Sequence, residues 1–127
     1  DVLTGGAGVA RLVGGAGFDR FDFNLASESP RTTPDVIAAS GGSAFEAPGG
    51  AVNNGDVIDL ADAFAGVLTF RLAGSAFTGI NQVRVVSSGT DSVVQVNLSG
   101  DATPEMQIVI NDGAVAHTAY TAADFIL

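Results

Sequence analysis

Two acidic residues in this sequence have the type and spacing of a cation site. Asp1 and Asp19 are 18 residues apart, and Asp19 follows the segment Gly14-Gly15-Ala16-Gly17. Carboxylate and turn carbonyl oxygens are the ligands that Ca²⁺ prefers in proteins. The sequence therefore predicts a calcium site made of the carboxylates of Asp1 and Asp19 and the carbonyls of Gly14 and Ala16; the alternative is a degenerate turn that holds only hydrogen bonds.

The spacing of 18 follows from a repeat of nine residues. Residues 5–13 (GGAGVARLV) align with residues 14–22 (GGAGFDRFD), and residues 1–4 fit the end of a preceding copy. Each copy has a glycine-rich turn, where glycine reaches positive φ without steric cost, and then a three-residue strand with one apolar side chain. Such a short period indicates a solenoid. Two copies make one coil of a parallel β-roll, so turns 18 residues apart stack on one edge.

A second edge of the predicted roll pairs Ala10 with Glu28, which are also 18 residues apart. Ala10 stands where the repeat has an aspartate. Loss of one carboxylate lowers both the charge and the ligand number of a calcium site. We therefore predict a weaker site here, from the carboxylate of Glu28 and the carbonyls of Gly6 and Gly8; the alternative is a turn without metal.

Catalytic arrangements are not evident in the sequence. Asp56 and Asp59 could serve as general acid and base, but in an extended segment they face opposite sides, and we expect Asp59 to make a turn bond. His117 is the single histidine, and no H-E-x-x-H motif, G-x-S-x-G motif or lysine is present. Residues 97–105 read as a plain hairpin turn, with a calcium loop as the alternative. We expect no enzyme.

Composition narrows the possible partners. The chain has 127 residues, 46% of them hydrophobic, and no cysteine. Its 14 acidic residues and 5 arginines give a net charge of -9. This balance argues against nucleic acid, which is held by clustered basic residues, and against docking on anionic membranes. No apolar run is long enough to span a bilayer, so no membrane insertion is expected.

The rest of the chain reads as β-strands separated by turns. We predict an all-β fold in a single domain 1–127: a short parallel β-roll stub over residues 1–37, merged with an antiparallel β-sandwich or meander over residues 56–127. Residues 38–55 read as an insertion loop, and residues 121–125 as a short helix. The predicted strands cover residues 57–60, 66–72, 82–86, 92–98 and 106–110.

Several segments together resemble a known family. The nonapeptides are followed by Phe21–Ser29, a Pro-Asp-Val-Ile element at 34–37, Gly55–Leu60 and the ending Asp-Phe-Ile-Leu. This order resembles the RTX (hemolysin-type calcium-binding nonapeptide) proteins, and most closely the C-terminal module of serralysin-type metalloproteases and other type I secretion substrates. The resemblance implies that an ABC exporter reads Asp124, Phe125, Ile126 and Leu127 as a secretion signal. A last strand that closes the core is a compatible alternative.

The resemblance also implies a function. The chain begins without Met and shows no leader, so we expect a piece of a larger bacterial protein, with a passenger domain upstream. The module would be non-catalytic, secreted and extracellular, and calcium would stabilise its folded form outside the cell by mass action. The alternative is a carbohydrate-binding or surface-anchoring module, such as an alginate epimerase R-module or a surface-layer element. That alternative requires an arginine-lined groove for an acidic polysaccharide, and the arginines are scattered in sequence.

Overall fold

The computed structural model describes residues 1–50, 55–113 and 115–127, and its strands form two sheets. No helix in these ranges is both long and apolar enough to cross a membrane. The helical segments are three short 3-10 turns, at Ala26–Glu28, His117–Ala119 and Ala122–Asp124. The strands are β1 (Val2–Thr4), β2 (Arg11–Leu12), β3 (Arg20–Asp22), β4 (Asp35–Ile37), β5 (Val57–Asp59), β6 (Thr69–Phe70), β7 (Gln82–Ser88), β8 (Asp91–Asn97), β9 (Met106–Ile110) and β10 (Phe125–Ile126).

The first sheet has the order β1-β3-β5-β10, and all its pairs are parallel. Leu3 lies opposite Phe21, which is the spacing of 18 that the nonapeptide predicts. Ile58 lies next in the same row and Phe125 follows it. We call this four-stranded sheet the roll sheet, because the nonapeptide strands β1 and β3 begin it.

The second sheet has the order β2-β4-β9-β8-β7-β6. Strands β7, β8 and β9 form an antiparallel meander, whereas β2 with β4, β4 with β9, and β6 with β7 are parallel pairs. The prediction of an all-β fold that joins a roll to a sandwich is confirmed. The expectation that residues 56–127 would be purely antiparallel is wrong, because β5 and β10 extend the parallel roll sheet.

The core lies between the two sheets, where alternate strand residues point inward. Along β7, Val83 and Val85 are buried, whereas Gln82 and Arg84 are half-buried. The same alternation holds along β9. The side chains with no exposed surface at all include Phe21, Phe23, Ile37, Ile58, Leu60, Val94, Val96, Met106, Ile108 and Ile110.

The segment predicted as an insertion loop supplies part of this core. Phe45 is buried, and its ring centroid lies 6.2 Å from that of Phe21 and 5.4 Å from that of Tyr120. Residues 51–54 of the predicted loop lie outside the described residues. The described part of the segment lacks regular secondary structure, as expected, but it packs into the space between the sheets.

Candidate functional sites in the glycine-rich turns and on an arginine-bearing sheet face

Aspartates occupy equivalent positions along one edge of the roll sheet, one residue before each strand. Asp1, Asp19 and Asp56 precede β1, β3 and β5, which pair in register. The Oδ1 atom of Asp19 accepts a hydrogen bond from the amino group of Asp1 at 2.7 Å. The Oδ1 atom of Asp56 accepts from the backbone N–H of Asp19 at 2.9 Å. The carboxylates of Asp19 and Asp56 therefore each bind the nitrogen of the equivalent residue in the neighbouring strand.

The other edge repeats this contact with a different partner from the one that the sequence predicts. Asp35 is the first residue of β4, and its Oδ1 atom accepts the backbone N–H of Ala10 at 2.8 Å. The predicted pairing of Ala10 with Glu28 is wrong, because the segment between β3 and β4 is longer than a nonapeptide. Glu28 instead ends a 3-10 turn and accepts the backbone N–H of Asn24 at 3.0 Å.

Two of these carboxylates each keep one buried oxygen without a hydrogen-bond partner: Oδ2 of Asp19 and Oδ2 of Asp35. Each packs against the first glycine of a turn, and a Cβ atom on Gly14 or Gly5 would collide with it. The next glycines of both turns have positive φ, between 68° and 112°. A buried carboxylate oxygen without a partner is costly, so each turn offers a place where a cation would compensate charge.

The structure brings Asp1 and Asp19 together, but through the amino group of Asp1, whose side chain is 85% exposed. Within residues 1–50, 55–113 and 115–127, no three His, Cys, Asp or Glu side chains are grouped as a metal site requires. A cation at either turn would therefore rely on one buried carboxylate and on backbone carbonyls. Those of Gly14 and Ala16 in one turn, and of Gly6 and Gly8 in the other, remain predicted ligands.

Burial is the main cause of the raised pKa values of Asp35 and Asp56. Burial raises the pKa of Asp35, the N–H bond from Ala10 opposes this shift, and the nearby charge of Glu28 adds to it. Burial likewise raises the pKa of Asp56, against the N–H bonds from Glu46 and Asp19. Both edges of the roll thus hold negative charge that water stabilises poorly, which favours a bound proton or a bound cation.

The remaining acidic candidate has a structural role. The Oδ1 atom of Asp59 accepts the backbone N–H of Ala61 at 2.9 Å, which is the expected turn bond. Its Oδ2 atom forms an ion pair with Arg20, which also contacts Asp22 at 3.2 Å.

The C-terminal residues are part of the roll sheet. Asp124 is buried, and its carboxylate accepts the backbone N–H of Gly49 at 2.7 Å and that of Thr121 at 2.7 Å. Phe125 is buried in β10, with its ring centroid 5.4 Å from that of Phe70. The segment 124–127 thus has the geometry of a last strand, with Ile126 paired to β5 and Leu127 packed against the core.

Three arginines without acidic partners lie on the outer face of the six-stranded sheet. Arg11 lies on β2, Arg84 on β7, and Arg71 directly after β6. Every ion pair within the described residues involves either Arg20 or the amino group of Asp1. Arg11, Arg31, Arg71 and Arg84 therefore have no carboxylate partner, although acidic residues outnumber arginines 14 to 5.

Two rows of side chains cross this outer face perpendicular to the strands. One row is polar: Arg84 lies opposite Gln95, and Gln95 lies opposite Gln107. The second row, two residues further along, is apolar and consists of Val86, Val93, Val109 and Val36, with Arg11 at its end. Sequence reasoning missed this face. The alternation in β7, β8 and β9 marks each outward residue, but only the strand order places them side by side.

Comparison with known proteins bears on the fold. No protein-family model and no curated protein sequence matches the chain. A solved structure with a similar fold is the AlgE6R3 subunit of the mannuronan C5-epimerase from Azotobacter vinelandii. It is 23% identical, with a TM-score of 0.57 over 99% of the present chain. The chain spans 62% of the length of that subunit.

This comparison corrects the family inferred from the sequence. Identification with RTX proteins and the serralysin-type C-terminal module is wrong, because no family model supports it and the matching structure is an epimerase R subunit. The exporter signal at residues 124–127 was implied by that family alone and loses its basis with it. The fold is instead similar to that of an epimerase subunit, the class of protein that the alternative names.

Proposed function

We propose that this chain is a non-catalytic module that binds an acidic polysaccharide, and that calcium at the glycine-rich turns stabilises its folded form. One observation carries the proposal: Arg11, Arg71 and Arg84 share one sheet face and have no carboxylate partner among the described residues, in a protein of net charge -9. The likeness in fold to a subunit of a mannuronan C5-epimerase supports the class of ligand, a polymer of uronic acid.

The chemistry of the face suits a uronic acid polymer. A guanidinium matches the planar geometry of a carboxylate. The amides of Gln95 and Gln107 can donate to and accept from sugar hydroxyls. Val36, Val86 and Val109 of the second row are half-buried and can cover apolar parts of a sugar ring. Acidic groups elsewhere on the surface repel a polyanion and so favour this face.

Calcium would act on stability rather than on chemistry. Asp19 and Asp35 would each supply one carboxylate oxygen, and turn carbonyls would supply the others, as hard cations prefer. A cation that binds only the folded state stabilises it by mass action, by about 2.7 kcal/mol at a hundredfold excess over the dissociation constant. The extracellular medium is rich in calcium, so we place the module outside the cell, in a larger polysaccharide-binding or polysaccharide-modifying protein.

Isothermal titration calorimetry tests the proposal. In calcium buffer, the wild-type chain should bind an oligomannuronate and should not bind a neutral oligosaccharide of equal length. The double variant Arg71→Ala/Arg84→Ala should lose most of the affinity, and added salt should weaken wild-type binding. Arg31→Ala, which removes an unpaired arginine from a loop, is the matched control and should bind like wild type. A flat titration with oligomannuronate would refute the function.

A further inference from the structure

We infer that Arg71 and Arg84 together form one carboxylate-binding subsite, and that Gln95 and Phe77 are positioning residues that hold Arg84 in place for it. The inference rests on the proposed function and adds to it the residues that fix the geometry of the site.

The guanidinium of Arg84 is held from three sides. Its Nε atom donates to Oε1 of Gln95 at 2.9 Å, and its Nη1 atom donates to the carbonyl of Ser75 at 2.9 Å. Its central carbon lies 4.1 Å from the ring centroid of Phe77, a cation–π contact. A guanidinium carries five N–H donors. Two are engaged here, so three remain on Nη1 and Nη2 for a ligand.

Arg71 brings a second positive charge to the same place. Its backbone N–H donates to the carbonyl of Val83 at 2.7 Å, which continues the pairing of β6 with β7 and sets Arg71 beside Arg84. The Nε atom of Arg71 is buried and has no hydrogen-bond partner. Like charges on adjacent strands are destabilising, and within the part of the chain that the structure describes no carboxylate pairs with either arginine.

A ligand carboxylate between the two arginines would compensate the like charges of their guanidinium groups. It would pair with two guanidinium groups and accept from donors that the protein leaves free. Because Gln95, Ser75 and Phe77 already fix Arg84, the ligand does not have to order that side chain when it binds, and such preorganisation favours affinity. Gln95 thus contributes to affinity without carrying charge.

The test uses Gln95→Met, which keeps the length of the side chain but removes the acceptor for Nε of Arg84. Thr4→Val, on the roll sheet, is the matched surface control. Affinity for trimannuronate should fall about tenfold in Gln95→Met, as expected for loss of one hydrogen bond to a charged group, and stay unchanged in the control. In NMR spectra the Nε–H signal of Arg84 should be protected from solvent exchange in wild type and lose protection in Gln95→Met. Phe77→Leu provides a second variant, with a smaller loss of affinity in the same direction.

The outcomes separate this inference from the proposed function. If Gln95→Met and Phe77→Leu bind like wild type while Arg71→Ala/Arg84→Ala does not, the positioning role is overturned and the function stands. If wild type binds no oligomannuronate, the function fails and the subsite fails with it. Thermal unfolding of each variant near the wild-type temperature shows that an affinity loss is local.

Discussion

The carboxylate of Asp56 accepts the backbone N–H of Asp19 at 2.9 Å, across 37 residues of sequence. Its second oxygen accepts the backbone N–H of Glu46 at 2.8 Å. One buried side chain therefore joins the edge of the roll sheet to the segment that carries Phe45 into the core. Asp35 makes the same kind of bond to Ala10 on the opposite edge.

Removal of the Asp56 carboxylate should destabilise the protein. Asp56→Ala leaves the N–H groups of Asp19 and Glu46 without their acceptor, and each unsatisfied buried donor costs about 1–3 kcal/mol. We expect the free energy of unfolding to fall by about 2 kcal/mol or more in urea denaturation. Asp62→Ala, at an exposed position, should change it by less than about 0.5 kcal/mol. Equal stability of both variants would show that Asp56 does not hold the two segments together.

Position 14 accepts only glycine, because the Asp19 carboxylate packs directly against it. A Cβ atom at this position would collide with the Asp19 carboxylate, and overpacking of this kind costs about 1–3 kcal/mol. Gly14→Ala should therefore lower the thermal unfolding temperature and weaken any stabilisation by calcium. Gly42→Ala is the control, since no atom lies within 4 Å of its added Cβ. A Gly14→Ala protein that is as stable and as responsive to calcium as wild type would contradict the geometry of the turn.

Stability in the presence of a chelator should depend on pH through the buried carboxylates. Burial raises the pKa of Asp35, Asp56 and Asp124 from 3.8. The stability that these groups contribute is present below pH 3.8 and is lost as the pH rises through their higher folded pKa values. Glu105, whose pKa is lowered, acts in the opposite direction.

The contribution of one residue is isolated by comparison with Asp35→Asn. Relative to this variant, wild type should lose stability as the pH rises from about 4 toward neutrality in chelator, as the linkage relation requires. Calcium should remove that loss, because the cation replaces the proton at the carboxylate. Thermal unfolding across this pH range measures both effects. A pH dependence identical in the two proteins would show that Asp35 does not titrate in this way.

Phe45 should matter more for stability than its place in an irregular segment suggests. Its side chain is 2% exposed and stacks with Phe21, and truncation of a buried phenylalanine costs about 3–5 kcal/mol. Phe45→Ala should therefore unfold at a much lower denaturant concentration than wild type. Phe18→Ala, at a position 56% exposed, should differ little. Similar midpoints for the two variants would mean that residues 38–50 do not contribute to the core.

The sequence predicted those features that depend on local pattern. The period of nine residues gave the pairing of Leu3 with Phe21, and the alternation at 82–86 and 106–110 predicted β7 and β9. Sequence patterns did not predict contacts between residues that are distant in the chain. Neither the partnership of Ala10 with Asp35 nor the rows that bring Arg84 beside Gln95 can be read from spacing. Both follow from the order of strands in a sheet, which tertiary packing decides.

The central claim is tested most directly by chemical-shift mapping of an oligomannuronate on the calcium-loaded protein. We expect the largest shifts at Arg71, Arg84 and Gln95, with weaker shifts across β9 toward Arg11. We expect small shifts or none on the roll sheet. An absence of shifts, or shifts confined to the glycine-rich turns and the roll sheet, would contradict the assignment of the arginine-bearing face as the polysaccharide-binding surface.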